Sequence, residues 1–118
     1  MNIQGGVYMN TRQYSSKQEE YVANMLDGQC TPNSGAGHTK KGDVLVDNDY
    51  IIECKTKTKQ VKNFSIPKEW IDTLKKESLA MNRPYWAIVF NYGKLGDEYV
   101  VIPLEDYKEF IEMKREEL

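Results

Sequence analysis

Residues 42–59 read Gly-Asp-Val-Leu-Val-Asp-Asn-Asp-Tyr-Ile-Ile-Glu-Cys-Lys-Thr-Lys-Thr-Lys, and the fold turns on how this stretch is arranged. Three apolar residues, Val44 to Val46, are followed by Asp47-Asn48-Asp49, whose short polar side chains favour a turn. Tyr50 to Thr58 then returns with β-branched and aromatic residues, so the stretch predicts a hairpin. Successive side chains of a strand point to opposite faces, which places Glu53 and Lys55 on one side and Ile52 and Cys54 on the other. Asp43, at the start of the first strand, falls across from Glu53 or Lys55. Two carboxylates then meet beside one ammonium, just where the apolar Tyr50-Ile51-Ile52 strand would otherwise continue inward. Charged groups there are costly unless paired or used. Hard oxygen donors of this kind suit Mg²⁺, with Mn²⁺ as a substitute. Such an ion polarises a phosphodiester and helps to deprotonate an attacking water, while Lys55 would orient that water or offset charge growing on phosphorus. The competing explanation is a plain cross-strand salt bridge between Asp43 and Lys55.

Outward from the hairpin, a first helix is expected from Ser15 or Ser16 to Leu26, with Val22, Met25 and Leu26 on one side and Asp27-Gly28 as its stop. Residues 27–42 hold four glycines and one proline and read as a loop with a short strand near Cys30. Gln60 to Ile66 would continue the strand region. Pro67 suits the first turn of a second helix running to about Met81, with Trp70, Ile71, Leu74 and Ser78 inward. Tyr85 to Tyr92 reads as a central strand and Tyr99 to Leu104 as a further one. A third helix follows from Glu105 to near Glu116, with Tyr107, Phe110, Ile111 and Met113 on its apolar side. The expected fold class is α/β, in the order α-β-β-β-α-β-β-α, a mixed sheet flanked by helices. The Gly-Gly pair and lack of periodicity in residues 1–13 suggest a flexible arm. Residues 14–118 are expected to form one domain, since 118 residues support a single core.

The formal charge of −2 hides an uneven distribution. Residues 1–96 carry thirteen basic and ten acidic side chains, and residues 97–118 carry three and eight. Lys55, Lys57, Lys59 and Lys62 form a run without an acid, a footprint for a polyanion or alternatively a protected sheet edge. The longest apolar run, Tyr85 to Phe90, is far below the roughly 20 residues that span a bilayer, so no membrane partner is expected. A secretory signal pattern is absent from the N-terminus, which suggests the cytoplasm. Cys30 and Cys54 lack metal-site spacing and read as free thiols. His38 is the sole histidine, which excludes mechanisms that need two. Trp70, Trp86 and the tyrosines read as core and rim, with no base-stacking role.

Gly42-Asp43, nine intervening residues, then Glu53-Cys54-Lys55 resembles the PD-(D/E)xK nuclease motif, with Gly42 where that superfamily often has proline. The fuller pattern is similar to the archaeal-type Holliday-junction resolvases and their small phage relatives. It comprises a first helix bearing an acid, a loop with Pro32-Asn33-Ser34-Gly35, then Lys40-Lys41-Gly42-Asp43 and Ile51-Ile52-Glu53-Cys54-Lys55. The likeness covers roughly residues 15–92. It implies a restriction-endonuclease-like fold and a divalent-metal-dependent endonuclease acting as a homodimer on branched DNA, in recombination or repair. Asp43 and Glu53 would be metal ligands, Lys55 the catalytic lysine, and the backbone carbonyl of Cys54 a further ligand. No organic cofactor is implied.

The resemblance also implies a glutamate from the first helix. Glu19 shares the side of Val22 and Leu26, whereas Glu20 leans towards Ala23, Asn24 and Asp27, so Glu19 is preferred. Its competing role is the capping box Ser16-Lys17-Gln18-Glu19. Ser34 matches a phosphate-contacting serine of the family, against a simple turn serine. Lys57 and Lys59 continue the face of Lys55, and with Lys40, Lys41, Lys62 and His38 they make up the expected DNA contacts, which give affinity without sequence readout. The rivals are a nicking or end-processing nuclease with the same site, and a non-catalytic DNA-binding module of the same fold.

Overall fold

A computed structural model describes residues 10–31 and 43–117. Ser34, His38, Lys40 and Lys41 lie outside the described residues, as does most of the expected N-terminal arm. The elements are α1 (Thr11–Leu26), β1 (Gln29–Cys30), β2 (Val44–Val46), β3 (Tyr50–Lys55), α2 (Lys68–Ala80), β4 (Tyr85–Phe90), β5 (Tyr99–Val101) and α3 (Leu104–Glu116). The expected element order holds, and the class is α/β. The five strands form one mixed sheet in sequence order.

The hairpin turn forms at residues 47–49, with Asp47 in the left-handed region at φ 50, a conformation that aspartate tolerates better than most side chains. It pairs Val44 with Ile52 and Val46 with Tyr50. Extended by one step, this register sets Asp43 opposite Glu53, resolving the choice between Glu53 and Lys55. β3 and β4 are parallel, so the chain must cross over between them, and α2 supplies the crossover. The alternation of β3 sorts its side chains between two cores. Ile52 joins Val22, Ala23, Val44, Ala87 and Val89 beneath α1. Ile51 joins Leu74 and Ile88, with Trp70, Ile71 and Trp86 packed around them, beneath α2. α3 contributes no buried residue and meets the sheet through Tyr85, whose ring lies 6.1 Å from that of Phe110.

Several boundaries differ from the sequence reading. α1 begins at Thr11, not Ser15 or Ser16, because Asn10 and Gln13 form the capping box. Residues 11–13 therefore belong to the helix and not to an arm, and Ser16 is an interior helical residue. The buried stripe of α1 is Gln18, Val22 and Ala23. Met25 and Leu26, expected inward, are exposed, and Ala23, expected outward, is buried. The stripe therefore begins with a buried polar residue, Gln18, at its N-terminal end. β3 stops at Lys55 and residues 56–66 are irregular, so neither the strand to Thr58 nor its continuation over Gln60 to Ile66 forms. β4 and β5 likewise end at Phe90 and Val101, short of Tyr92 and Leu104. Pro67, with its fixed φ, stands as the N-cap of α2, one residue before the position expected.

Candidate metal centre

The site is assembled from the residue just before β2, the second half of β3 and the last turns of α2. Asp43 precedes β2 and is 3% exposed. Thr31 fixes its backbone: the Asp43 N–H donates to Thr31 Oγ1 at 3.0 Å, and the Thr31 N–H donates to the Asp43 carbonyl at 2.9 Å. Glu53 faces α2 by the same alternation that buries Ile51 there. Glu77 enters from α2, one turn beyond Leu74, with Ser78 buried beside it. Carboxylate oxygens of Asp43, Glu53 and Glu77 all lie within 4.8 Å of one another.

Lys55 reaches the same surface from the next inward position of β3. Its Nζ is 3.0 Å from Glu53 Oε2, with both side chains less than a third exposed. The ammonium also lies 4.3 Å from the centre of the Trp70 ring, a cation–π contact that steadies its aliphatic stem. The competing explanation is a cross-strand bridge from Asp43 to Lys55; Lys55 pairs along its own strand with Glu53.

Beneath Lys55, on the opposite face, a polar network pins the end of β3. Gln18 is 1% exposed. Its Nε2 donates to the Lys55 carbonyl at 2.7 Å and to Glu98 Oε1 at 3.0 Å. The Asn91 amide side chain donates to Glu98 Oε2 at 2.9 Å, and the Thr56 hydroxyl donates to Asn91 Oδ1 at 2.7 Å. Three separate segments therefore hold the backbone of the lysine.

Of the expected site residues, Asp43, Glu53 and Lys55 are brought together. Cys54 lies between the last two with its side chain towards α1, and burial pushes its thiol well above the usual range, with the Glu19 and Asp43 charges adding to this. Only its backbone remains to serve the carboxylate side. Glu19 is half-buried on α1 and stands near the Cys54 and Cys30 thiols. It is not one of the three converging carboxylates, and the capping box of α1 is formed by Asn10 and Gln13 instead. Lys57 lies beyond the end of β3, so its own segment and not strand alternation places it; its Nζ sits 5.2 Å from the Phe64 ring centre. Lys59 and Lys62 are exposed.

Glu77 was not legible as a site residue. The signal was present, however: it lies three residues after Leu74 and one before Ser78, so the stripe of Trp70, Ile71, Leu74 and Ser78 carries an acid at a half-buried position. Its Oε1 and Gln18 Oε1 are the buried side-chain atoms without a hydrogen-bond partner among the described residues. A carboxylate oxygen shut away from water and from donors is expensive, and a hard cation is the natural partner for it. Three carboxylates this close could hold a metal ion. No family model, curated protein or solved structure matched this chain.

Proposed function

We propose that the protein is a Mg²⁺-dependent, structure-selective endodeoxyribonuclease that resolves branched DNA, four-way junctions foremost. The observation that carries this reading is the convergence of Asp43, Glu53 and Glu77 within 4.8 Å beside the ammonium of Lys55. Asp43, Glu53 and Glu77 would hold the ion. When bound, a divalent ion neutralises charge on a phosphodiester and makes hydroxide available at neutral pH. Lys55 stands 3.0 Å from Glu53, placed to hydrogen-bond a water or a phosphoryl oxygen as negative charge accumulates. The buried side of Asp43 keeps bulk water away, so these charges act in a medium less screening than solvent.

The acid-free run containing Lys57, Lys59 and Lys62 supports a polyanionic substrate. Cutting two strands of a junction symmetrically calls for two sites in fixed relation, hence a two-fold homodimer. The test has two parts. Mn²⁺ titrated into the protein should show saturable uptake that Glu53→Ala removes. Labelled four-way, forked and linear duplexes incubated with Mg²⁺ should then be cut with the junction favoured. Equal cutting of all three would indicate a general nicking nuclease, and metal uptake without cutting of any would leave a non-catalytic module.

A further inference from the structure

The face that carries Glu53 and Lys55 continues sideways as a row of aromatic rings. Lys55 pairs in register with Phe90, and Phe90 with Tyr99, so these three residues lie side by side across β3, β4 and β5 on one surface. The rings of Phe90 and Tyr99 are 5.8 Å apart, and Tyr92 closes the group at 5.5 Å from Phe90 and 5.9 Å from Tyr99. Phe64, from the irregular segment 56–66, lies 4.8 Å from Phe90. Tyr92 and Tyr99 are 36% and 52% exposed, so the outer end of the row presents open ring surface.

The row is held in place. The Val61 N–H donates to the Tyr92 carbonyl at 2.9 Å, and Gly93, at φ 101, lets the Lys59 backbone pass where any Cβ would collide with its carbonyl. The surrounding charge favours a polyanion. Lys57 sits over Phe64, and no acid occurs between Cys54 and Lys68. The acids at the far edge are engaged internally, Glu98 by Gln18 and Asn91 and Asp97 by Lys94 at 3.8 Å.

We infer that the row from Lys55 to Tyr99 is a stacking platform for unpaired nucleotides adjoining the scissile phosphate, so that the substrate is DNA with single-stranded or splayed bases beside the cut. Flat rings accept any base face, and lysines alongside them track the backbone. Tyr92 and Tyr99 would stack bases, Lys57 would meet a phosphate, and Lys55 would lie at the end nearest the reaction. The position of the cut rests on the nuclease reading above; the platform itself does not require cleavage.

Binding is therefore measured with the full chain in EDTA, by anisotropy of a labelled short oligodeoxythymidylate and of a labelled linear duplex. Tyr92→Leu and Tyr99→Leu should each weaken single-strand binding about tenfold while leaving duplex binding and the salt dependence unchanged. Tyr99→Phe should restore it, because the ring and not the hydroxyl is required. Lys57→Ala should weaken both DNAs and flatten the salt dependence. Both tyrosines are surface residues, and circular dichroism checks that the variants fold. Equal losses on the two DNAs, no binding of the single strand, or a change in sedimentation state without a change in DNA affinity would overturn the platform; the last would assign the rings to self-association. Single-strand binding without cleavage in Mg²⁺ would sink the nuclease reading and leave the platform standing. Cleavage unaffected by the tyrosine changes would do the reverse.

Discussion

On the α1 face of β3, the buried amide of Gln18 donates to Lys55, Val89 and Glu98; on the α2 face, Asp43, Glu53 and Glu77 crowd within 4.8 Å with Lys55 to balance them. Both groups are polar, and both lie beside the same residue. The first is satisfied largely from within the chain, so it fixes the ends of β3 and β4 and costs little to keep. Each holds one buried oxygen without a hydrogen-bond partner among the described residues, Gln18 Oε1 in the first and Glu77 Oε1 in the second, but only the second gathers three carboxylates. Like charges this close weaken a fold unless a cation offsets them. The contrast sets a largely neutral amide network that builds the architecture against an acidic cluster that could hold a cation.

The sharpest way to break this comparison is to remove a carboxylate and read cleavage. Asp43→Asn or Glu53→Ala should lower single-turnover cutting of a four-way junction in Mg²⁺ by about a thousandfold or more, since such an ion contributes several kcal/mol. Cutting within tenfold of the parent protein would place the chemistry elsewhere.

Smaller effects of opposite sign should appear in urea unfolding without metal. Gln18→Leu strips donors from the Lys55 carbonyl and from Glu98, and should destabilise the protein by about 2 kcal/mol. Glu77→Gln should stabilise it by about 1 kcal/mol, because it relieves repulsion among carboxylates. If both changes destabilise, Glu77 belongs to the architecture after all.

The two thiols report on the closure of the α1 face without mutation. Cys30 is exposed, whereas Cys54 lies against α1 and burial holds its thiol protonated. A disulfide reagent at neutral pH should therefore label Cys30 under native conditions, and Cys54 only on unfolding. Simultaneous labelling of both would show that the α1 face opens readily.

The mildest prediction concerns the α3 contact. The Tyr85 hydroxyl donates to Glu109 Oε2 at 2.8 Å, and this bond, then burial and the Glu109 charge, pushes its pKa up to about 12. The folded state holds that proton more tightly than the unfolded one. The resulting stability is present below the ordinary tyrosine value and is lost as pH rises through about 12. Tyr85→Phe should flatten the loss in an alkaline unfolding series.

The hairpin was legible because every signal in it is local: the short polar turn at 47–49, the alternation that pairs Glu53 with Lys55, and the count that puts Asp43 opposite them. Helix α2 was legible for the same reason, from Pro67 and the spacing of Trp70, Ile71, Leu74 and Ser78. The start of α1 was not, because Asn10-Gln13 and Ser16-Glu19 are both plausible capping boxes and only packing of Gln18 against β3 and Glu98 chooses between them. Strand ends were also misplaced. Lys57 and Lys59 have strand-like alternation, but after Lys55 the sheet offers no partner, and the segment turns to lay Phe64 on Phe90.

By itself the sequence determined that this chain is an α/β protein with a charged hairpin, one carboxylate on each arm and a lysine two residues from the second. These features depend on neighbours along the chain, where backbone geometry sets the outcome. Only the tertiary structure decided that the third carboxylate comes from Glu77 rather than from Glu19, and that Tyr92 and Tyr99 extend the face of Lys55. Such pairings span tens of residues and are settled by which helix covers which side of the sheet, a choice governed by the packing of the whole core.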